Sequence, residues 1–339
     1  MTGSAALLSL HDAPSHLTIL VTGANGLVGR ALCQALAASG HQVLAAVRHP
    51  HEQPLAGLSE AGIRLVQAPD LESADASWPL SGADVVVHTA ARVHVMNPNA
   101  NDTQRFVAVN RDGTERLARQ CAAHGVKRLV FLSTIKVNGE RTDPGVAFTA
   151  ADTPNPTDPY ALSKQQAEAA LWAVAEQTGL EVNVIRPPLV YGPGAKGNLG
   201  VLERAVRKGW PLPIGALDFN RRSLVSLANL VDLIACCVVH PGAANRVILA
   251  SDGEDVSTLG LARFMADALG VPLKTLSVPV GVLRTLARLL GRQAMLQRLT
   301  ENLQVDISAT RRDLDWAPVQ TVAQAMQLAF GQASDKDTV

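Results

Sequence analysis

The stretch Thr22-Gly23-Ala24-Asn25-Gly26-Leu27-Val28-Gly29 decides how the rest of the chain is read. A β-branched and aliphatic run over 17–22 leads into it, and an amphipathic pattern over 27–39 leads out. A strand, a glycine turn and a helix in this order open a βαβ unit. Gly23 permits a tight exit from the strand, Gly26 leaves room for backbone to approach a phosphate, and Gly29 lets the helix pack closely. The helix start offers unsatisfied N–H groups and the positive end of its dipole. The turn, with Asn25, Leu27 and Val28, is therefore the predicted seat of a dinucleotide pyrophosphate.

Outward from this turn, apolar strand patterns are predicted at 17–22, 42–47, 63–67, 84–88, 128–133, 182–186 and 246–250. Helical patterns fall at 27–39, 102–124, 160–178, 200–208, 228–239 and 258–269. Strands that read as continuous apolar runs and alternate with helices predict an α/β fold, a doubly wound parallel sheet of Rossmann type. After Arg186 the texture turns rich in Pro and Gly, which predicts a smaller carboxyl-terminal substrate lobe. The expected division is a dinucleotide-binding part over 1–186 and a lobe over 187–339, interleaved because 228–250 returns to the first part. Residues 1–16 read as a loose tail.

Composition narrows the classes. Of 339 residues, 47% are hydrophobic and 18% charged, which is enough for a large core and argues against disorder. Thirty basic residues balance thirty acidic ones, so no global field favours nucleic acid as a partner. No signal peptide and no membrane span are read, and a cytoplasmic location is expected. The longest apolar segment, 278–290, is interrupted by Arg284 and Arg288 and is expected to be a packed amphipathic helix. The adjacent Cys236 and Cys237 are expected to be buried small hydrophobes. The histidine pairs His49/His51 and His88/His94 lack a completing carboxylate or cysteine, so no metal site is expected.

Tyr160 and Lys164 lie four apart, on one helix face a turn apart. A phenol titrates near 10, too high for an efficient base at neutral pH, and a nearby ammonium lowers that value. Lys164 is thus expected to prepare Tyr160 for proton exchange with a hydroxyl or carbonyl.

With Thr22, the Gly-x-x-Gly-x-x-Gly spacing resembles that of the short-chain dehydrogenase/reductases. The match is to their extended branch of nucleotide-sugar epimerases, dehydratases and reductases. Asp70-Leu71, His88-Thr89-Ala90-Ala91, Asn110-x-x-Gly113-Thr114, Ser133-Thr134, Tyr160-x-x-x-Lys164 and Arg186-Pro187 before Val190-Tyr191-Gly192 carry the same resemblance in the same order. It implies that Thr134 joins Tyr160 and Lys164 as a catalytic residue, with Ser133 as the fallback and a substrate contact. It also implies that Lys164 bonds the nicotinamide ribose, and that Ala90, Ala91 and Pro187 line the cofactor. Asp70 is expected on the adenine amino group, with Leu71 on the ring. Asn110 is expected to support the site's backbone. Asn198 and Arg222 are expected to meet the nucleotide and the diphosphate of a UDP-sugar. Asn138 departs from the family tyrosine, and Ile135-Lys136 replace the Asp-Glu that dehydration requires.

The second strand ends at Val47-Arg48 without an acid for a free ribose 2′-hydroxyl. Arg48 suits a 2′-phosphate, which favours NADP over NAD, although stacking on adenine would suit either cofactor. The stretch Ser133-Thr134-Ile135-Lys136-Val137-Asn138-Gly139 also resembles bacterial UDP-4-keto-6-deoxyhexosamine reductases, and that resemblance, with Arg48, implies NADPH-dependent 4-keto reduction of a UDP-linked 6-deoxyhexosamine in cell-surface polysaccharide biosynthesis. The alternatives are a UDP-glucose or UDP-N-acetylglucosamine 4-epimerase with bound NAD, and a dinucleotide-binding protein without catalysis. The resemblance further implies a homodimer paired through two helices.

Overall fold

The computed structural model describes residues 16–50, 58, 62–93, 100–194 and 198–331. The expected tail (apart from His16), His51 and His94 lie outside the described residues. The first strands are β1 (Thr18–Thr22), β2 (Gln42–Val47), β3 (Ile63–Gln67), β4 (Val85–His88) and β5 (Arg128–Leu132). They are followed by β6 (Glu181–Arg186), β7 (Leu189–Tyr191), β8 (Arg222–Ser226), β9 (Arg246–Leu249) and β10 (Asp255–Val256). Helices α1 (Leu27–Ala38), α2 (Ala100–Phe106), α3 (Gly113–Ala123), α4 (Pro159–Thr178) and α5 (Asn198–Arg207) lie between them. The carboxyl-terminal part adds α6 (Leu227–Val239), α7 (Thr258–Leu269), α8 (Val280–Leu289), α9 (Gln293–Thr300), α10 (Ser308–Leu314) and α11 (Val322–Phe330).

Seven strands form one sheet in the order β3-β2-β1-β4-β5-β6-β9, and every neighbouring pair is parallel. Period-two alternation sends successive residues to opposite faces. Ile19 and Val21 join one core with Leu32 of α1 and Leu230 of α6, whereas Leu20 joins the other with Leu117 of α3 and Leu171 of α4. Two helical layers thus cover both faces, which is why the strands read as unbroken apolar runs. The expected doubly wound α/β sheet is borne out. The strand order changes direction between β1 and β4, and the carboxyl ends of these strands are where α/β folds of this kind bind ligands.

After β6 the chain leaves to form a three-stranded sheet, β10-β8-β7, with its own core of Tyr191, Leu224, Met265 and Phe330. It then returns through α6 to place β9 beside β6. The four cysteines are free and buried, including Cys236 and Cys237.

Two sequence expectations are corrected. The single helix at 102–124 is three pieces, because a π-helical turn over Val107–Asp112 separates α2 from α3. One-turn π segments of this sort redirect side chains at functional sites; here the buried Asn110 is the residue turned inward. The segment 278–290 does form a helix, but it is only partly packed. Val282, Leu286, Leu289 and Leu290 remain 48–77% exposed.

Candidate active site

The glycine turn is shaped by contacts that exclude side chains. Gly23 has φ +68°, and a Cβ there would stand 2.8 Å from the amide nitrogen of Ala90. A Cβ on Gly29 would collide with the carbonyl of Gly23 and lie 2.9 Å from Thr89 Oγ1. The amide of Gly26 donates to Gly23 O at 2.9 Å, which closes the turn. Gly26 then caps α1 with no side-chain hydrogen bond, and no acidic residue stands in the first turn. A helix start left bare in this way is suited to an anion, so the cradle fits a dinucleotide pyrophosphate.

The rim of the cradle is built from neighbouring strand ends. Thr89 Oγ1 donates to Thr22 O at 2.6 Å, and Ala90 N donates to Thr22 Oγ1 at 3.2 Å. This places Ala90, with Ala91 after it, against Gly23. His88 is fully buried between Thr22 Oγ1 (2.7 Å) and Thr114 Oγ1 (3.1 Å). Burial, and then the charge of Lys164, push its imidazole down to about 3, so it is a neutral structural link. Arg48 is exposed just beyond β2, its carbonyl accepting from Gln67 Nε2 at 2.5 Å. Asp70 is exposed beyond β3 with Oδ1 accepting from Glu72 N at 3.0 Å. Leu71 packs against the core, and its carbonyl accepts from Arg116 Nη2 at 2.5 Å.

Tyr160 sits in the first turn of α4. Asp158 caps that helix, accepting from Ala161 N at 2.7 Å, and Pro159 occupies a position where its missing N–H costs nothing. Asn110 ties this turn to the β4 exit: it accepts from Arg92 N at 2.8 Å and donates to Ser163 Oγ at 2.9 Å. Ser163 in turn donates to the carbonyl of Tyr160 at 2.7 Å. The expectation that Asn110 supports the site's backbone agrees with this chain of contacts. Phe106 meets the Tyr160 ring edge-on at 6.2 Å.

The electrostatics differ from those expected. Burial, and then the Asp158 carboxylate, raise the Tyr160 phenol above its ordinary value. Lys164, 2% exposed, donates to Leu132 O at 2.7 Å and places its ammonium 4.2 Å from the Phe131 ring centre. Burial pushes Lys164 down to about 7, with Glu168 acting against that shift. Its charge is engaged by the end of β5 and not by the phenol. Asp158 is also ion-paired with Lys136 at 2.6 Å, which holds a cation where dehydratases of the resembled branch carry acids.

Thr134 follows β5 in extended conformation, and its Oγ1 accepts from Lys136 N at 3.3 Å. Ser133, expected as a substrate contact, is buried, and its hydroxyl donates to Glu168 Oε1. Glu168 is paired with Arg186, which donates to Oε2 at 2.5 Å and to Asn138 Oδ1 at 2.9 Å. Asn138, the family departure, thus fills a buried polar slot. Pro187 is buried, and its carbonyl accepts from Ile135 N at 2.9 Å.

Arg222 lies on β8 with Nη1 donating to Glu301 O at 3.2 Å. Burial lowers it, the charges of Glu301 and Glu140 oppose this, and Arg298 of α9 adds to the lowering. Arg298 is thus a second cation within electrostatic range of Arg222, which no motif signalled. A cavity of about 410 Å³ opens beside it, lined by Asn138, Gly139, Glu140, Asn155, Gln297 and Glu301 among others. Asn198 opens α5, and its side chain lies outside the described residues. Among the described residues there is no group of three or more metal-ligating side chains.

A doubly wound parallel sheet with a bare glycine turn after β1, and a helix α4 that carries Tyr160 and Lys164, match dinucleotide-dependent enzymes of the extended short-chain type. Over residues 19–248 the sequence matches the NAD dependent epimerase/dehydratase family. A UDP-glucose 4-epimerase from Vibrio cholerae is 45% identical over 325 residues, spanning 94% of this chain and 97% of the relative. A 2-alkyl-3-oxoalkanoate reductase from Stenotrophomonas maltophilia strain K279a is 28% identical, spanning 92% and 98%. Among solved structures, UDP-glucuronic acid 4-epimerase from Bacillus cereus in complex with NAD superposes with a TM-score of 0.71 at 20% identity, over 93% of this chain and 97% of that one. The chain belongs to the NAD dependent epimerase/dehydratase family and is an enzyme.

Proposed function

We propose that the protein is a UDP-sugar 4-epimerase that works with NAD. The observation carrying this reading is the 45% identity, over almost the whole of both chains, to the Vibrio cholerae UDP-glucose 4-epimerase. In this reading the crevice above β1 and β4 holds the dinucleotide, with its pyrophosphate on the amides that follow Gly23. The bound cofactor supplies a reversible hydride acceptor. Tyr160 moves the proton at the sugar O4, Thr134 holds that oxygen by a hydrogen bond, and Lys164 anchors the nicotinamide ribose. The lobe of β7, β8 and β10 holds the sugar nucleotide, with Arg222 and Arg298 beside the diphosphate. Ile135 is buried and Lys136 is ion-paired, so neither position offers an acid for dehydration, which supports inversion over elimination.

Arg48 supports a second reading. An exposed guanidinium and no carboxylate at the end of β2 suit a 2′-phosphate, and with it NADPH-dependent 4-keto reduction of a UDP-linked 6-deoxyhexosamine. Arg48 favours this reductase; the 45% identity to the Vibrio cholerae relative favours the epimerase more strongly. Both readings place the enzyme in the cytoplasm, as a homodimer measurable by light scattering. Purified protein with UDP-glucose or UDP-N-acetylglucosamine, without added cofactor, should yield the C4 epimer by proton NMR. No inversion, together with NADPH oxidation on a UDP-4-keto sugar, would replace the first reading by the second.

A further inference from the structure

Lys136 stands in the short turn Ile135–Val137 that follows Thr134, and it reaches both sides of the proposed proton transfer. Its amide donates to Thr134 Oγ1 at 3.3 Å. With a donor already on that oxygen, the threonine proton is free to be given to a substrate oxygen. The Lys136 ammonium points the other way, donating to Asp158 Oδ2 at 2.6 Å and to Glu140 Oε1 at 2.9 Å. Asp158 caps α4 through Ala161 N, two residues before Tyr160. One residue therefore ties the turn after β5 to the first turn of the helix that carries the phenol.

Charge makes this contact more than a strut. Burial works against the Asp158 carboxylate, yet the bonds from Lys136 and from the Ala161 amide hold it below its ordinary value. Burial works against the Lys136 ammonium as well, and the bonds to Asp158 and Glu140 hold it above its own. Both groups keep their charge at neutral pH, and the Asp158 charge opposes ionisation of Tyr160. Among the described residues, the other charges around the start of α4 are committed elsewhere. On α2 and at the β4 exit, Asp102 pairs with Arg92 and Arg105 with Glu72. In the π-helical turn Arg111 pairs with Asp112. Along α4, Lys164 donates to Leu132 O and Glu168 pairs with Arg186.

We propose that Lys136 is a positioning residue of the reaction: it docks the cap of α4 on the turn after Thr134 and neutralises the carboxylate two residues before Tyr160. The inference rests on the reading that Tyr160 moves the proton. The two paired side chains are 30 and 29% exposed, so the pair adds little stability, and a merely structural Lys136 would leave the pH profile alone.

The test is the pH profile of kcat/KM with UDP-glucose, or with a UDP-4-keto sugar and NADPH where that pair is turned over. In Lys136→Met, Asp158 bears on the phenol without its counter-ion. The limb that titrates with Tyr160 should move to higher pH by about half a unit to one unit. With UDP-glucose this is the acidic limb, and kcat/KM below it should fall about three- to tenfold. Lys136→Arg, which can serve both carboxylates, should restore the limb. In the Asp158→Asn background the same Lys136→Met change should move it little, because the charge to be answered is gone. The position of a limb does not depend on how much of the protein is folded, so partial misfolding leaves the readout intact. A limb that stays or moves down in Lys136→Met, or an equal shift with and without Asp158, overturns the inference. Turnover by Tyr160→Phe would overturn the reading beneath it instead, which tells the two failures apart.

Discussion

Lys164 and Arg186 are buried cations on either side of the same strand end, held in opposite ways. Arg186 closes on β6 with both edges of its guanidinium engaged, on Glu168 and on Asn138, and Ser133 completes the carboxylate's shell. Lys164, one helical turn before Glu168 on α4, donates to a single carbonyl and otherwise faces an aromatic ring. The first arrangement answers the cost of burying charge with a fitted partner; the second leaves much of that cost standing. A cation kept short of partners is available to a ligand, and that separates a structural pair from a working one.

The largest effect should come from the residue beside Lys164. Tyr160→Phe is expected to lower turnover about 10³-fold while dinucleotide binding, followed by fluorescence, persists. Retained turnover would remove Tyr160 from the mechanism. Arg186→Met leaves Glu168 buried without its partner and should cost about 3 kcal/mol of stability in urea unfolding. A neutral result would mean the pair is not what holds the strand end.

Lys164→Met should act the other way, cutting turnover about 100-fold with no loss of stability. The sign with pH follows from the lowered value. Folded Lys164 titrates near 7, against an ordinary 10.5. Across that window the unfolded chain binds the extra proton, so this group makes stability rise with pH. The variant lacks that contribution. Its advantage over wild type should be greatest at and below neutral pH and should close toward the ordinary lysine range. A pH-independent difference would show that Lys164 is not buried as described. The smallest effect is expected for Asp158→Asn, which keeps a helix cap but removes the charge that raises Tyr160. The acidic limb of kcat/KM should move to lower pH by less than about one unit; movement to higher pH would contradict the assigned cause.

Legibility in the sequence followed the range of the interactions. The parallel sheet was visible because each strand is apolar on both faces, and the glycine turn because its contacts lie within one βαβ unit. The start of α4 was read one residue late, at Tyr160, because the pattern alone did not single out Asp158 and Pro159 as its cap and first residue. The partners of Lys164 were not legible, because Phe131 and the Leu132 carbonyl reach it from a strand 32 residues upstream. The commitment of Ser133 to Glu168 was hidden for the same reason: two hydroxyls in a row look alike until a third element selects one. The π-helical turn left no mark in periodicity, since a single extra residue shifts the pattern without interrupting it. Arg298 had no motif around it and is placed only by its proximity to Arg222.

The placement of β9 beside β6 has a consequence for synthesis. Until Arg246–Leu249 emerges, the β6 edge has no neighbour, and an unpaired edge of a parallel sheet is a template for association between chains. The interval is the roughly 60 residues between Arg186 and Arg246. At ribosomal speeds of about 5–20 residues per second this amounts to several seconds per chain. The nascent sheet must wait out that interval with one side open, and a chain cut short inside the lobe would never close it.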